Sequence, residues 1–263
     1  MRLEGRRLLV IGASAGIGKT TAIELAREGA RVCVAARRLD RLRETVTAAG
    51  ERAFARVCDV ADEASCAGVI EDALAEMGGL DGVIYAPGIS TFGPVEQITQ
   101  ADWQRVLGTN LIGVSVVLNA AIAALTASRG RFVVLSSISI YDAPPRPQQA
   151  SYVVSKRALE ALIEAWQGEH RAVGFTSIAC GDTFSEFGHG VDPATIIPIV
   201  QRWTELDYMY GRMMEPESVA EQVVNALASK ETIRRIAITP RYPNDDETAI
   251  DGGQAAVDAH NRH

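Results

Sequence analysis

Short apolar runs alternate with longer amphipathic segments along almost the whole chain, and that alternation limits the fold more than any single motif. R-R-L-L-V-I (6–11), A-R-V-C-V-A-A (30–36), A-F-A-R-V (53–57), G-V-I-Y-A (82–86), R-F-V-V-L (131–135), F-T-S-I-A (175–179) and R-I-A-I-T (235–239) are strand-like. Between most of them lie segments such as T-A-I-E-L-A-R-E (21–28), with apolar residues at helical intervals. Strand and helix in alternation predict a parallel sheet covered on both faces. Right-handed crossovers then give an α/β fold, a doubly wound Rossmann-type sheet of about seven strands. No linker, low-complexity tract or repeat divides the 263 residues, so one domain is expected over 1–263. Two stretches break the rhythm. Residues 183–215 carry Phe184, Phe187, Trp203, Tyr208, Met209, Tyr210, Met213 and Met214, and the tail 241–263 is polar with weak periodicity.

Bulk properties exclude several classes. With 47% hydrophobic and 22% charged residues the chain has ample material for a core. Its formal charge of −7 argues against a nucleic-acid or anionic-membrane partner. The longest apolar stretch, Val114 to Leu125, is interrupted by Asn119 and is expected to be too short to span a bilayer. M-R-L-E-G-R-R runs into the first strand without the apolar core of a signal peptide, so a cytoplasmic protein is expected. Cys33, Cys58, Cys66 and Cys180 are scattered without a C-x-x-C pair, which argues for small buried side chains rather than a metal site or disulfide framework.

The first strand leads into G-A-S-A-G-I-G-K-T-T, residues 12–21. Gly12 can make the tight turn, Gly16 lets backbone approach a phosphate, and Gly18 permits close helix–strand packing. The helix beyond offers free N–H groups to an anion, so Gly12, Ser14, Ala15, Gly16, Ile17 and Gly18 form a candidate dinucleotide loop. Gly18-Lys19-Thr20 also mimics the end of an NTP-binding loop, but that motif needs glycine at position 13, where this chain has Ala13. The second strand ends V-C-V-A-A-R-R, with Ala36 where an acid would bind a ribose 2′-OH and Arg37 directly after it. An arginine fork suits a 2′-phosphate, so Arg37, assisted by Arg38, argues for NADP(H) in preference to NAD(H).

With further motifs the chain resembles the short-chain dehydrogenase/reductase family in its single-domain form, over nearly all of residues 5–240. G-A-S-A-G-I-G (12–18) is similar to the family's glycine loop, with Ile11 in place of its leading threonine. C-D-V (58–60) resembles the adenine-pocket motif, which implies cofactor contacts at Asp59 and Val60. T-N-L-I-G (109–113) supplies the helix asparagine, Asn110. V-L-S-S (134–137) ends the fifth strand at the catalytic serine position, Ser137, and Y-V-V-S-K (152–156) matches Y-x-x-x-K, so Tyr152 and Lys156 complete the implied catalytic set. The family's N-A-G appears here as Ala86-Pro87-Gly88, and its P-G as Cys180-Gly181, followed by Thr183 and Ser185 near the implied cofactor amide. The serine-to-tyrosine interval is two residues longer than usual: Ser137 fits the strand end and Ser139 the interval. Ser137 is preferred, with the insertion absorbed by I-Y-D-A-P-P-R-P-Q-Q.

Hydride transfer to a carbonyl leaves an alkoxide that must be protonated. A free tyrosine titrates near pH 10, and a nearby ammonium would lower that value. Tyr152 and Lys156 share a helix face at i, i+4, which makes such coupling possible. The resemblance adds that Lys156 holds the nicotinamide ribose, that the serine positions the substrate oxygen, and that Asn110 retains a relay water. The stretch 183–215 would be a substrate lid, and its aromatic and methionine content suggests a small or medium apolar alcohol or ketone. The family also implies a homodimer or homotetramer through helices near 103–125 and 152–169, where Val114, Val117, Leu118, Ile122 and Leu125 offer an apolar stripe. The competing expectation is a catalytically silent nucleotide-binding scaffold or sensor on the same fold.

Overall fold

The computed structural model describes residues 1–187, 191–209 and 211–241. Its strands are β1 (Arg7–Ile11), β2 (Arg31–Ala36), β3 (Ala53–Val57), β4 (Gly82–Tyr85), β5 (Arg131–Ser137), β6 (Gly174–Cys180) and β7 (Arg235–Ile238). Its helices are α1 (Gly16–Arg27), α2 (Leu39–Ala49), α3 (Glu63–Met77), α4 (Gln100–Leu107), α5 (Gly113–Ser128), α6 (Ala150–Glu169), α7 (Pro193–Glu205) and α8 (Pro216–Ala228). The strands pair in parallel in the order β3-β2-β1-β4-β5-β6-β7, which is the doubly wound sheet expected from the alternation. Strand order reverses between β1 and β4, and a crevice at the carboxyl ends of such strands is where this topology binds ligands.

Period-two alternation divides the core. Leu9 and Ile11 of β1 face one way, with Val69 and Ile70 of α3, Val117 and Leu118 of α5, and Leu159 of α6. Leu8 and Val10 face the other way, with Ala22 and Leu25 of α1, Leu42 of α2 and Val223 of α8. Both faces of the sheet are therefore dry, as near-continuous apolar strands require. Local signals set the helix ends. Asp62 accepts from the Ala64 and Ser65 N–H groups at the start of α3, and Thr99 with Asp102 forms a capping box on α4.

One expectation is corrected here. Val114, Val117, Leu118 and Leu125 of the expected stripe are completely buried in the core and Ile122 is partly buried against it, so those four residues do not form an assembly face. The apolar run Val114 to Leu125 is by itself too short for a bilayer. Yet α4, a π-helical turn (Gly108–Ile112) and α5 run end to end, and this continuous run, Gln100–Ser128, is long and apolar enough by length and composition to cross a membrane. The buried face of α5 nonetheless packs into the core. The tail at 241–263 lies, apart from Arg241, outside the described residues, as does Tyr210.

Candidate active site

The floor of the crevice is built from glycine. Gly12 has φ +82°, and a Cβ there would stand 2.9 Å from the Pro87 nitrogen. A Cβ on Gly18 would stand 2.3 Å from the Gly12 carbonyl oxygen and 3.1 Å from the Ala86 Cβ. The loop and Ala86-Pro87 are thus in contact, and only glycine permits that approach. Ala15 begins α1 without a side-chain cap, so the N–H groups of Gly16, Ile17 and Gly18 have no carbonyl one turn back to bond. A bare, glycine-lined helix start fits the diphosphate of a dinucleotide.

At the end of β2 the two arginines differ. Arg37 is exposed and makes no hydrogen bond or ion pair among the described residues. Arg38 donates to Ser14 Oγ (3.1 Å) and to a Glu186 carboxylate oxygen (2.8 Å). Beyond β3, Asp59 Oδ1 accepts the Ala61 N–H (3.1 Å), and Val60 packs against the core. Gly88 faces the other end of the crevice, where a Cβ would lie 3.5 Å from Lys156 Nζ.

Strand β5 and helix α6 bring the serine, tyrosine and lysine together. Ser137, the last residue of β5, pairs in register with Cys180 of β6. Its hydroxyl acts on Tyr152, favouring the phenolate, and lies 2.9 Å from Ser139 Oγ. Lys156 Nζ sits 5.7 Å from the centre of the Tyr152 ring and donates to the Leu135 carbonyl at 2.7 Å. Burial leaves Lys156 3% exposed and brings its pKa down to about 8, with Cys180 and Glu160 opposing that fall. The neighbouring Cys180 thiol is pushed up to about 12 by burial, so it packs as an inert side chain.

The expected depression of the Tyr152 pKa by Lys156 is not what the structure has. Burial raises Tyr152 well above the ordinary phenol value, and the Ser137 hydroxyl and the charge of Arg146 offset only part of this. The reason is the cover over the ring: the Phe187 ring lies 4.8 Å from that of Tyr152, and desolvation disfavours the phenolate. Asn110 sits fully buried in the π turn. Its amide donates to the Ile89 carbonyl (2.8 Å) and Ser155 Oγ (2.9 Å), while Oδ1 accepts the Ile89 N–H (2.9 Å). Both of its N–H donors are therefore committed to protein partners. Gly181 donates its N–H to Ile238, and Thr183 turns its hydroxyl to the Gly181 carbonyl at 2.8 Å.

Arg146, which sequence reasoning passed over, organises the loop between serine and tyrosine. It is 4% exposed, donates to Asp142 and Asp182 at 2.8 Å each and to the Tyr208 carbonyl, and lies over the Trp203 ring. Trp203 Nε1 donates to the Pro147 carbonyl in return. The proline-rich insertion is thereby tied to α7. The local signal was an arginine four residues after an aspartate; its partner Asp182 is 36 residues away and gave none.

A family model described as short chain dehydrogenase matches residues 6–194. The chain is 30% identical over 260 residues to the 3-oxoacyl-acyl-carrier-protein reductase FabG of Thermotoga maritima, covering 96% of this chain and 99% of that one. It is 29% identical over 249 residues to the glycine betaine reductase ATRR of Emericella nidulans, covering 91% of this chain and only 19% of that protein's length. A solved alcohol dehydrogenase from Thermococcus sibiricus, complexed with 5-hydroxy-NADP, superposes with a TM-score of 0.77 at 25% identity, over 92% of this chain and 99% of the other. The chain belongs to the short-chain dehydrogenase family and is an oxidoreductase.

Proposed function

We propose that this oxidoreductase uses NADP(H) to interconvert small or medium apolar ketones and alcohols, with ketone reduction the working direction. The observation that carries the reading is the Ser137–Tyr152 hydroxyl pair with the Lys156 ammonium beside it. Support for the cofactor comes from the uncapped glycine loop, from the partner-free Arg37, and from the NADP analogue in the Thermococcus relative.

When bound, the dinucleotide supplies the hydride. Tyr152, its pKa raised by burial, keeps its proton at neutral pH and gives it to the carbonyl oxygen as negative charge develops there. The Ser137 hydroxyl orients the phenol and shares in binding that oxygen. Lys156 holds positive charge near the ring and steadies the phenolate left behind. Phe187 excludes water from the tyrosine, and the Phe92, Phe187 and Trp203 rings, with centroids 6.1 and 6.3 Å from Phe92, favour an apolar substrate. Asn110 fastens the π turn to the residue after Gly88. We read residues 1–263 as one catalytic unit with 183–215 as its lid. Exposed Ile112 and Val154, and not the buried α5 stripe, support a dimer or tetramer face on these helices.

Following NADPH oxidation across a panel of ketones tests the reading. Turnover should appear with apolar members, vanish in Tyr152→Phe, and leave NADPH affinity intact. Undiminished turnover in Tyr152→Phe would refute the assignment.

A further inference from the structure

We propose that Glu186 latches a strap across the dinucleotide groove, and that an adenosine 2′-phosphate releases it by taking Arg38 from the glutamate. The proposal rests on the NADP(H) reading above and assigns a latching role to a residue outside the family motifs.

The strap begins at the end of β6 and is pinned there. Gly181 donates to the Ile238 carbonyl at 2.7 Å, Thr183 bridges to Met214, and Phe184 donates to the Met214 carbonyl at 2.9 Å. The next three residues each touch a different part of the groove. The Ser185 Cβ lies 3.2 Å from the point where a Cβ on Gly16 would stand, so it rests on the glycine loop. The Glu186 carboxylate meets Arg38 at 2.8 Å, and Arg38 in turn holds Ser14 of the same loop. Phe187 packs its ring on Tyr152. Three consecutive residues span roughly 10 Å. The strap therefore lies across the loop that would take the diphosphate and over the tyrosine that must reach the substrate.

Any dinucleotide has to move Ser185 and Phe187 aside to use Gly16 and Tyr152. Only one carrying a 2′-phosphate also offers Arg38 a replacement partner, with more charge and more acceptor oxygens than a carboxylate. The latch is built to yield. Arg38 and Glu186 have side chains 45% and 40% exposed, and ion pairs so placed are weak. Arg37, without a partner among the described residues, stands ready beside Arg38 to complete the phosphate site.

This arrangement separates the effects of two substitutions. Glu186→Gln removes the latch for both cofactors, so NADPH and NADH should each bind about 1.5- to 5-fold more tightly, by the same factor. Arg38→Ala also removes the latch but deletes a phosphate ligand: NADH should tighten while NADPH weakens. Titration calorimetry on the full chain reads both. Unchanged or weaker binding of both cofactors in Glu186→Gln, or weaker NADH binding in Arg38→Ala, overturns the proposal. A second measurement does not depend on cofactor. Amide hydrogen exchange at Phe184–Phe187 of the protein alone should quicken in Glu186→Gln, and equal exchange in variant and parent overturns the latch. If neither dinucleotide binds the parent, the NADP(H) reading and the 2′-phosphate's part fall together, and exchange alone decides whether the latch exists.

Discussion

Ser137 faces Tyr152 and tempers the rise of its pKa, and Ser139 stands beside Ser137 with its Oγ 2.9 Å away. This arrangement supports the proposal that Ser137, rather than Ser139, is the catalytic serine. Ser137→Ala should lower kcat/KM for ketone reduction by about 100- to 1,000-fold, the usual cost of losing a donor to a developing oxyanion. Ser139→Ala should cost less than about tenfold, since Ser137 keeps its place beside tyrosine. Steady-state kinetics of the two variants decides between them, and a larger loss at 139 would reverse the assignment.

Arg37 is exposed and partner-free among the described residues, so removing it disturbs little else. Arg37→Ala should weaken NADPH binding by about 10-fold or more, through loss of charge-assisted bonds worth about 1.5–3 kcal/mol. NADH binding should hardly change. Equal losses for the two cofactors would remove the 2′-phosphate from this residue.

Burial of Lys156 predicts how stability varies with pH. Its pKa falls to about 8 in the folded protein from 10.5, so below pH 8 the folded state carries an ammonium that burial disfavours. From about pH 8 upward the unfolded chain holds more protons at this site than the folded one, and stability therefore rises with pH through this interval. Relative to Lys156→Met, which has no charge to desolvate, the parent should gain about 1–2 kcal/mol between pH 7.5 and 9.5. Urea unfolding of both proteins across that range is the measurement. A difference that stays constant with pH would contradict the shift.

Arg146 is buried between Asp142 and Asp182. Arg146→Met should destabilise the protein by about 3–5 kcal/mol, because two carboxylates would lose their buried counter-charge. Helix α7 should loosen with it, since the Tyr208 carbonyl and the Trp203 ring both rest on the guanidinium. Thermal unfolding and Trp203 fluorescence read the two effects separately. A fall in melting temperature with Trp203 emission unchanged would disconnect the arginine from α7.

Fold and much of the site were legible because they depend on local order. Helical and strand periodicity follow from which face of each element must be dry, and a glycine loop follows from positions that tolerate no Cβ. The spacing of Tyr152 and Lys156 is likewise set by the helix that carries them. The apolar residues of α5 were harder to read. A stripe that could cover a neighbouring subunit has the same pattern as one that covers the sheet, and only packing showed that Val114, Val117, Leu118 and Leu125 do the latter.

By itself, then, the sequence determined the order of the elements, the glycine floor of the crevice, and the presence of serine, tyrosine and lysine at its rim. The tertiary structure decided which groups face one another across it. Glu186 meets Arg38 over a separation of 148 residues, and Phe187 covers Tyr152 so that burial raises its pKa. Arg146 gathers two aspartates and a tryptophan from separate segments. Such contacts carry no periodic trace because each depends on chain segments converging in space, and desolvation, which sets both the Tyr152 and the Lys156 titrations, exists only once they have converged.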